Sequence, residues 1–387
     1  MTSPVAVAEP AGTLAVFERD DRAWTRTEVA PAGLWPVWRP GGAAIAASIV
    51  EAGRPPTSQV RLVGFRAPVH SPVAYQTQPG GPAVIAPRIP HYVNWSPAGD
   101  VLSIVAPGAQ GLTLFLSDPD GAYSSDAVAS GGPLFSAWAE RGDCIAIHKG
   151  TELILYWHQT RRSEAASSQA IGFRTPACVG RTVVYARPGG EGVILLKRDF
   201  DSGEERDLQS FGGGIAIMAR PRTSQVAVAV AADPNTGLFS QLWLVDTADG
   251  GREIASLHRG PFVSATWSPT GEAIAVTIPT QSGDGRFMVL VLDEDGRYRA
   301  ASDGFVPGPD FRTLLGFFDQ YAQSHHLWAP DGSALLAAGR LMGDAVAASF
   351  GDGPRDYVLY WAAHGHDPIE VVGRGDVGFF PPPVNAG

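Results

Sequence analysis

The sequence predicts an all-β protein, a single closed propeller of four-stranded blades. Three observations predict it. An aromatic residue, a Pro-x-Gly turn and short apolar strands recur in that order along the chain. The 46 Gly and 32 Pro are spread throughout the 387 residues rather than gathered in one linker, so turns are frequent everywhere, as short strands require. The two ends of the chain carry complementary parts of one further repeat.

Two passages display the repeat. WSPAGDVLSIVAPGAQGLTLFLSDPDGAYSSDAVA from Trp95 and WSPTGEAIAVTIPTQSGDGRFMVLVLDEDGRYRAAS from Trp267 align motif for motif. Each has an aromatic, a Pro-x-Gly turn, an apolar strand, a loop, a second apolar strand, an acidic Gly turn and a third strand. The same order begins at Trp38, Trp138 and Trp328, and two copies without the tryptophan begin at Ala177 and Met218. An aromatic ending the innermost strand fills the space between blades. In the turn, Pro presets φ and Gly accepts a positive φ.

The N-terminus, PVAVAEPAGTLAVFERDDRAWTRTEVA, matches the second to fourth strands of a unit without its first. The C-terminal GDVGFFPPP matches a lead-in and first strand with nothing after it. Pairing the two ends closes the ring and removes an exposed edge. The count is then eight blades, about 48 residues each over 387 residues; seven is the alternative, if one end supplies only an extra strand. The whole chain, 1–387, reads as one domain, with an inserted segment at 303–326 before the last full repeat.

At these motifs the chain resembles the WD-like propeller family that includes TolB, whose repeat reads W-S-P-D-G followed by apolar strands and an acidic Gly turn. The matching residues are Trp95-Ser96-Pro97-Ala98-Gly99, Trp267-Ser268-Pro269-Thr270-Gly271 and Trp328-Ala329-Pro330-Asp331-Gly332. The resemblance covers nearly the whole chain and implies the propeller fold; it says little of function. Relatives include protein-binding modules and the N-terminal propellers of serine peptidases. The chain ends at Gly387, just after its last strand, and holds no G-x-S-x-G elbow, so a peptidase is not expected. TolB is periplasmic, whereas this N-terminus has no basic n-region or long apolar h-region. The expected compartment is the cytoplasm.

Composition excludes several partners. The formal net charge is −10 and no basic stripe is present, which argues against nucleic acid and an anionic membrane surface. No stretch approaches 18 apolar residues, so no membrane insertion is expected. Cys144 and Cys178 lie in apolar contexts and read as buried small hydrophobes, not as a zinc or redox motif. No cofactor is expected.

Four acidic turns, at Asp118–Gly121, Asp199–Asp201, Asp246–Gly250 and Asp293–Gly296, resemble the start of a calcium loop but lack its later ligands. Hairpin turns between third and fourth strands explain them, and together they make an acidic outer rim. The most distinctive segment is the insertion. Trp267 and Trp328 are 61 residues apart, against 43 for Trp95 and Trp138. Leu314, Phe317, Phe318 and Tyr321 fall at helical spacing, which predicts a short helix over 313–323. Two roles are open to it: a helix capping the channel or filling a wide gap, or a binding surface. The candidate contact residues are Phe317, Phe318, Asp319, Gln320, Tyr321, His325 and His326, since function concentrates in loops that break a repeat. His325 and His326 point to opposite faces of a strand and do not share a metal easily. His364 and His366 read as part of another hairpin turn, and His148 as a core or blade-face residue. No metal or catalytic residue is assigned. The expected function is a non-catalytic interaction module that binds a protein partner, as a scaffold or a subunit of a larger assembly. The alternative is a metal-dependent propeller hydrolase or lyase at the central channel, with polar groups converging there from at least three blades.

Overall fold

The computed structural model describes residues 3–10, 12–20, 23–30, 33–42, 44–51, 57–64, 90–117, 127–171, 174–233, 237–248, 251–341, 356–364 and 368–383. The described strands form antiparallel sheets. One runs Leu134–Trp138, Cys144–Lys149, Glu152–Trp157, Arg162–Ser167 in sequence order. Burial falls along that order. The first five residues of Cys144–Lys149 are buried, while none of Arg162–Ser167 is. The inner strands are covered on both faces by neighbouring blades, so they read as continuous apolar runs, and outer strands carry the polar residues. The sheets starting at Tyr92–Trp95, Ala177–Val179 and Ile215–Ala219 repeat this meander. Leu34–Trp38, Ala44–Glu51 and Thr57–Gly64 form a three-stranded sheet. The architecture is a β-propeller.

The ends meet as the sequence predicts. Val377–Phe379 pairs antiparallel with Val5–Ala8, aligning Ala6 with Phe379 and Ala8 with Val377. Leu14–Arg19 and Trp24–Ala30 complete that sheet. Val5, Ala6 and Val7 are fully buried, so the closing seam lies in the core.

The repeats that begin at Trp267 and Trp328 share one continuous eight-stranded sheet. The short strand Phe305–Pro307 joins them, bridging Phe287 on one side and pairing with 339–341 on the other. Gly339 makes this possible: its φ is +156°, and a Cβ there would collide with the Val306 carbonyl.

The repeated aromatic does more than fill space. Trp95 donates its indole N–H to the Val37 carbonyl, and Trp328 donates to that of Thr266. In both pairs the acceptor is the residue before the preceding blade's tryptophan. Trp38 follows the same rule with Phe379, which marks Phe380 as the aromatic position of the terminal blade. Cys178 occupies the position in the copy that lacks tryptophan, and its thiol reaches the Ala137 carbonyl, just before Trp138. The indole N–H groups of Trp138 and Trp267 have no acceptor among the described residues. Arginine adds a second tie between blades. Arg39 lies over the Trp95 ring and donates to the Gly99 carbonyl, and Arg220 does the same with Trp267 and Gly271.

The other sequence expectations fall out locally. The Asp199 carboxylate accepts the backbone N–H groups of Asp201 and Ser202, and Asp293 accepts those of Asp295 and Arg297. Both are hairpin turns. The turn at 118–121, part of that at 246–250, and His366 lie outside the described residues. Cys144 and Cys178 are free and buried. His148 is buried, with Nδ1 2.7 Å from the Arg174 carbonyl oxygen. No helix is long and apolar enough to cross a membrane among the described residues.

Candidate functional site

The insertion forms a plug at the propeller axis. Pro309 opens helix α1, Pro309–Gly316, from a fixed φ. Phe311, Leu314 and Leu315 are buried, and α1 packs on Ala334–Leu341. At Phe317 the backbone leaves helical geometry (φ −120°, ψ 36°), and a single further turn, α2, spans Phe318–Tyr321. The helix expected over 313–323 therefore starts four residues earlier and breaks at Phe317. The break turns α2 inward, where it touches the inner strands Leu134–Trp138, Ile215–Ala219 and Ser264–Trp267.

Specific groups hold α2 there. The buried Asp319 carboxylate accepts the Thr175 N–H at 2.9 Å and an Arg174 N–H at 3.1 Å. Tyr92 donates its hydroxyl to the Gln320 carbonyl at 2.8 Å. Phe318 is fully buried and meets Phe239 edge-on. Tyr321 stacks on Trp35, with ring centroids 5.2 Å apart. His325 is enclosed by Trp35, Tyr92, Tyr321 and Phe379. Its Nδ1 lies 2.6 Å from Ser324 Oγ, and burial, helped by His326, lowers its pKa to about 3. Burial raises the Tyr321 phenol to about 12.

Of the seven candidate contact residues, Phe318, Asp319, Gln320, Tyr321 and His325 are buried, and Phe317 and His326 are half-buried. Asp319 and His326 also line an axial cavity. Most of the seven side chains are turned inward. The reason is the ring of inner strands, which offers α2 apolar walls that no local pattern reveals.

On one side of the plug lies an axial cavity of about 740 Å³. Its rim carries Pro40, Pro97, Pro221 and Pro269, so it opens on the face of the Pro-x-Gly turns. Its wall carries Trp38, Trp95, Trp138 and Trp267, with Cys178 and Met218 at the equivalent positions. Its floor is the plug: Asp319, Ala322, Gln323, Ser324 and His326. His325 and His326 thus face different surroundings, one the aromatic enclosure and the other the cavity. Burial lowers the His326 pKa to about 4, so its imidazole is neutral at pH 7.

Asn94 is the group that sequence reasoning missed. It precedes Trp95, at a position held elsewhere by Val37, Ala137 and Ile217, all apolar. It is 4% exposed and lines the cavity, and its side-chain amide makes no hydrogen bond to another described residue. An amide at a position held elsewhere by apolar residues and, before Trp267, by Thr266 was the available signal. Among the described residues, no three His, Cys, Asp or Glu side chains gather so as to hold a metal ion.

No family model matches the sequence, and no curated protein does. Solved structures resemble the fold. Prolyl endopeptidase is 9% identical, covering 90% of this chain and 50% of its own, with a TM-score of 0.58. Oligogalacturonate lyase from Vibrio parahaemolyticus is 12% identical, covering 73% and 76%, with a TM-score of 0.50. TolB from Acinetobacter baumannii is 14% identical, covering 88% and 84%, with a TM-score of 0.42. At these identities the likeness to the endopeptidase and the lyase is one of fold alone.

Proposed function

We propose that the chain is a non-catalytic interaction module that receives part of a protein partner in the axial cavity. The observation that carries this reading is the plugged channel. The insertion turns a through-channel into a pocket with one open face, walled by indole and proline rings and floored by polar groups. Such a concave, mixed surface suits binding. A metal-dependent hydrolase or lyase needs several ligands converging at one point. The described Asp319 carboxylate is already engaged by Arg174 and Thr175, and no other metal-ligating set faces the cavity among the described residues.

The test is recovery of the tagged protein from its native host, in soluble and membrane fractions, with stoichiometry measured for whatever co-purifies. Ala322→Trp fills the cavity from its floor and serves as the comparison. A stoichiometric protein lost from Ala322→Trp supports the reading. A partner that binds both forms equally overturns the axial site. A partner-free protein carrying one equivalent of metal favours the hydrolase or lyase.

A further inference from the structure

We infer that the axial cavity takes a side-chain carboxamide, that of a glutamine carried by the partner; this rests on the reading of the cavity as a partner-binding site. The ground is a set of polar groups that the described chain leaves unbonded. Asn94 is 4% exposed and bounds the cavity, and its amide makes no hydrogen bond to another described residue. Val37, Ala177 and Ile217 hold the same place in their blades, before Trp38, Cys178 and Met218, and line the cavity with it. None of their side chains can serve a polar neighbour. A buried amide destabilises the fold unless something bonds it, and a leucine there would fill the same space without that penalty. The floor offers two more groups. Gln323 donates from Nε2 to the Asp319 carbonyl, and its Oε1 makes no hydrogen bond to another described residue. The His326 ring bounds the cavity, neutral at pH 7, with one N–H and one lone pair.

These groups offer donors and acceptors together, and that decides the occupant. Asn94 presents two N–H donors and a carbonyl oxygen in one plane, His326 one group of each kind, and Gln323 an oxygen. A carboxylate only accepts, and would leave the oxygens of Asn94 and Gln323 unpaired. An ammonium only donates, and would leave the Asn94 N–H groups unpaired. A hydroxyl does both, but from a single atom. A carboxamide does both from one plane, so it can pair with Asn94 through two antiparallel hydrogen bonds and still offer its second N–H to the floor. The two methylenes of a glutamine suit the apolar neighbours Val37, Ala177 and Ile217. Charge agrees with a neutral occupant. The Asp319 carboxylate at the floor is already bonded by Arg174 and Thr175, and the mouth carries one exposed charge of each sign, Glu140 and Arg222. Depth favours glutamine over asparagine, since Asn94 lies below Trp95 and the rim residue Pro97.

The probes are acetyl-glutamine methylamide and its glutamate, lysine and methionine counterparts, which share the backbone amides and differ at the end of the side chain. Each is titrated into the full chain and followed by calorimetry. Asn94→Leu keeps the side-chain volume and removes the amide, Asn94→Asp keeps the shape and removes the donors, and Ala322→Trp fills the space. Each variant is first shown to be folded by its melting curve. The expected result is saturable binding of the glutamine probe, about tenfold or more tighter than the other three, because the site rejects a ligand that leaves its buried polar groups unpaired. Asn94→Leu brings glutamine and methionine to within about threefold of each other, the preference falling with the hydrogen bonds that caused it. Asn94→Asp moves the preference to lysine, and Ala322→Trp abolishes binding. No saturable binding of the glutamine probe, equal affinity for glutamine and methionine, tighter binding of glutamate or lysine to the wild type, or a glutamine preference unchanged in Asn94→Leu overturns the inference. If the partner is lost from Ala322→Trp but retained by Asn94→Leu and not displaced by the glutamine probe, the interaction reading stands and the carboxamide specificity falls. If partner capture survives Ala322→Trp, the axial site itself falls.

Discussion

Replacing Asp319 by Ala tests what holds the plug in the channel. The carboxylate accepts two donors, the Thr175 amide and Arg174, which also donates to the Gly316 carbonyl and lies over the Phe239 ring. Alanine leaves the buried amide unbonded, which costs about 1–3 kcal/mol. It also removes the counterion of Arg174, whose side chain is 30% exposed, so that contribution is limited to about 0.5–1 kcal/mol. Together they favour opening of the plug by about 1.5–4 kcal/mol, or roughly 10- to 1,000-fold in the open population. The strand ladders of the blades are untouched, so the change is local. Hydrogen exchange reads it directly: amides of 317–325 should exchange at least about tenfold faster in Asp319→Ala, while those of Cys144–Lys149 stay as they are. Asp319→Asn keeps one acceptor and should fall between. Exchange of the plug within threefold of the wild type would refute the assignment of Asp319 as its anchor.

The tryptophans divide into two groups. Trp95→Phe and Trp328→Phe remove a hydrogen bond to the neighbouring blade, whereas Trp138→Phe and Trp267→Phe remove a donor without an acceptor. The first pair should be about 1 kcal/mol less stable than the second in denaturant unfolding, beyond the shared loss of volume; equal costs would mean that the indole N–H bonds contribute nothing. Burial lowers the His325 and His326 pKa values to about 3 and 4, below the unfolded value near 6.5. The unfolded state therefore binds protons first as pH falls. This stability is complete above about pH 6.5 and is lost progressively toward pH 4, by up to about 1.4 kcal/mol per pH unit for each histidine. Melting temperatures between pH 7 and 4.5 should fall more steeply for the wild type than for His325→Gln, and parallel slopes would contradict it. Burial raises the Cys144 thiol to about 12 and the Cys178 thiol further. Neither should react with a thiol reagent at pH 8 until denaturant is added, and fast labelling of the folded protein would show that the core opens.

Much of this protein is written in its sequence because the repeat is local. An aromatic, a Pro-x-Gly turn and apolar strands within one unit specify a blade that cannot bury its own faces, so stacking follows. The complementary ends, from Val5 and to Phe379, fix the closing pair because each supplies only what the other lacks. Asp199 and Asp293 read as turns because the turn chemistry lies within a few residues. The candidate site is different. The break at Phe317 and the inward seat of α2 depend on walls contributed by strands far away in the chain, among them Leu134–Trp138 and Ile215–Ala219. Arg174 and Thr175 meet Asp319 across about 145 residues of chain, a pairing that no local spacing encodes. The sequence marks the insertion as exceptional, since composition and repeat length are local. Whether its aromatic and polar groups face solvent or the channel is decided by what the closed ring leaves unfilled at its axis, and that is a property of the packed whole.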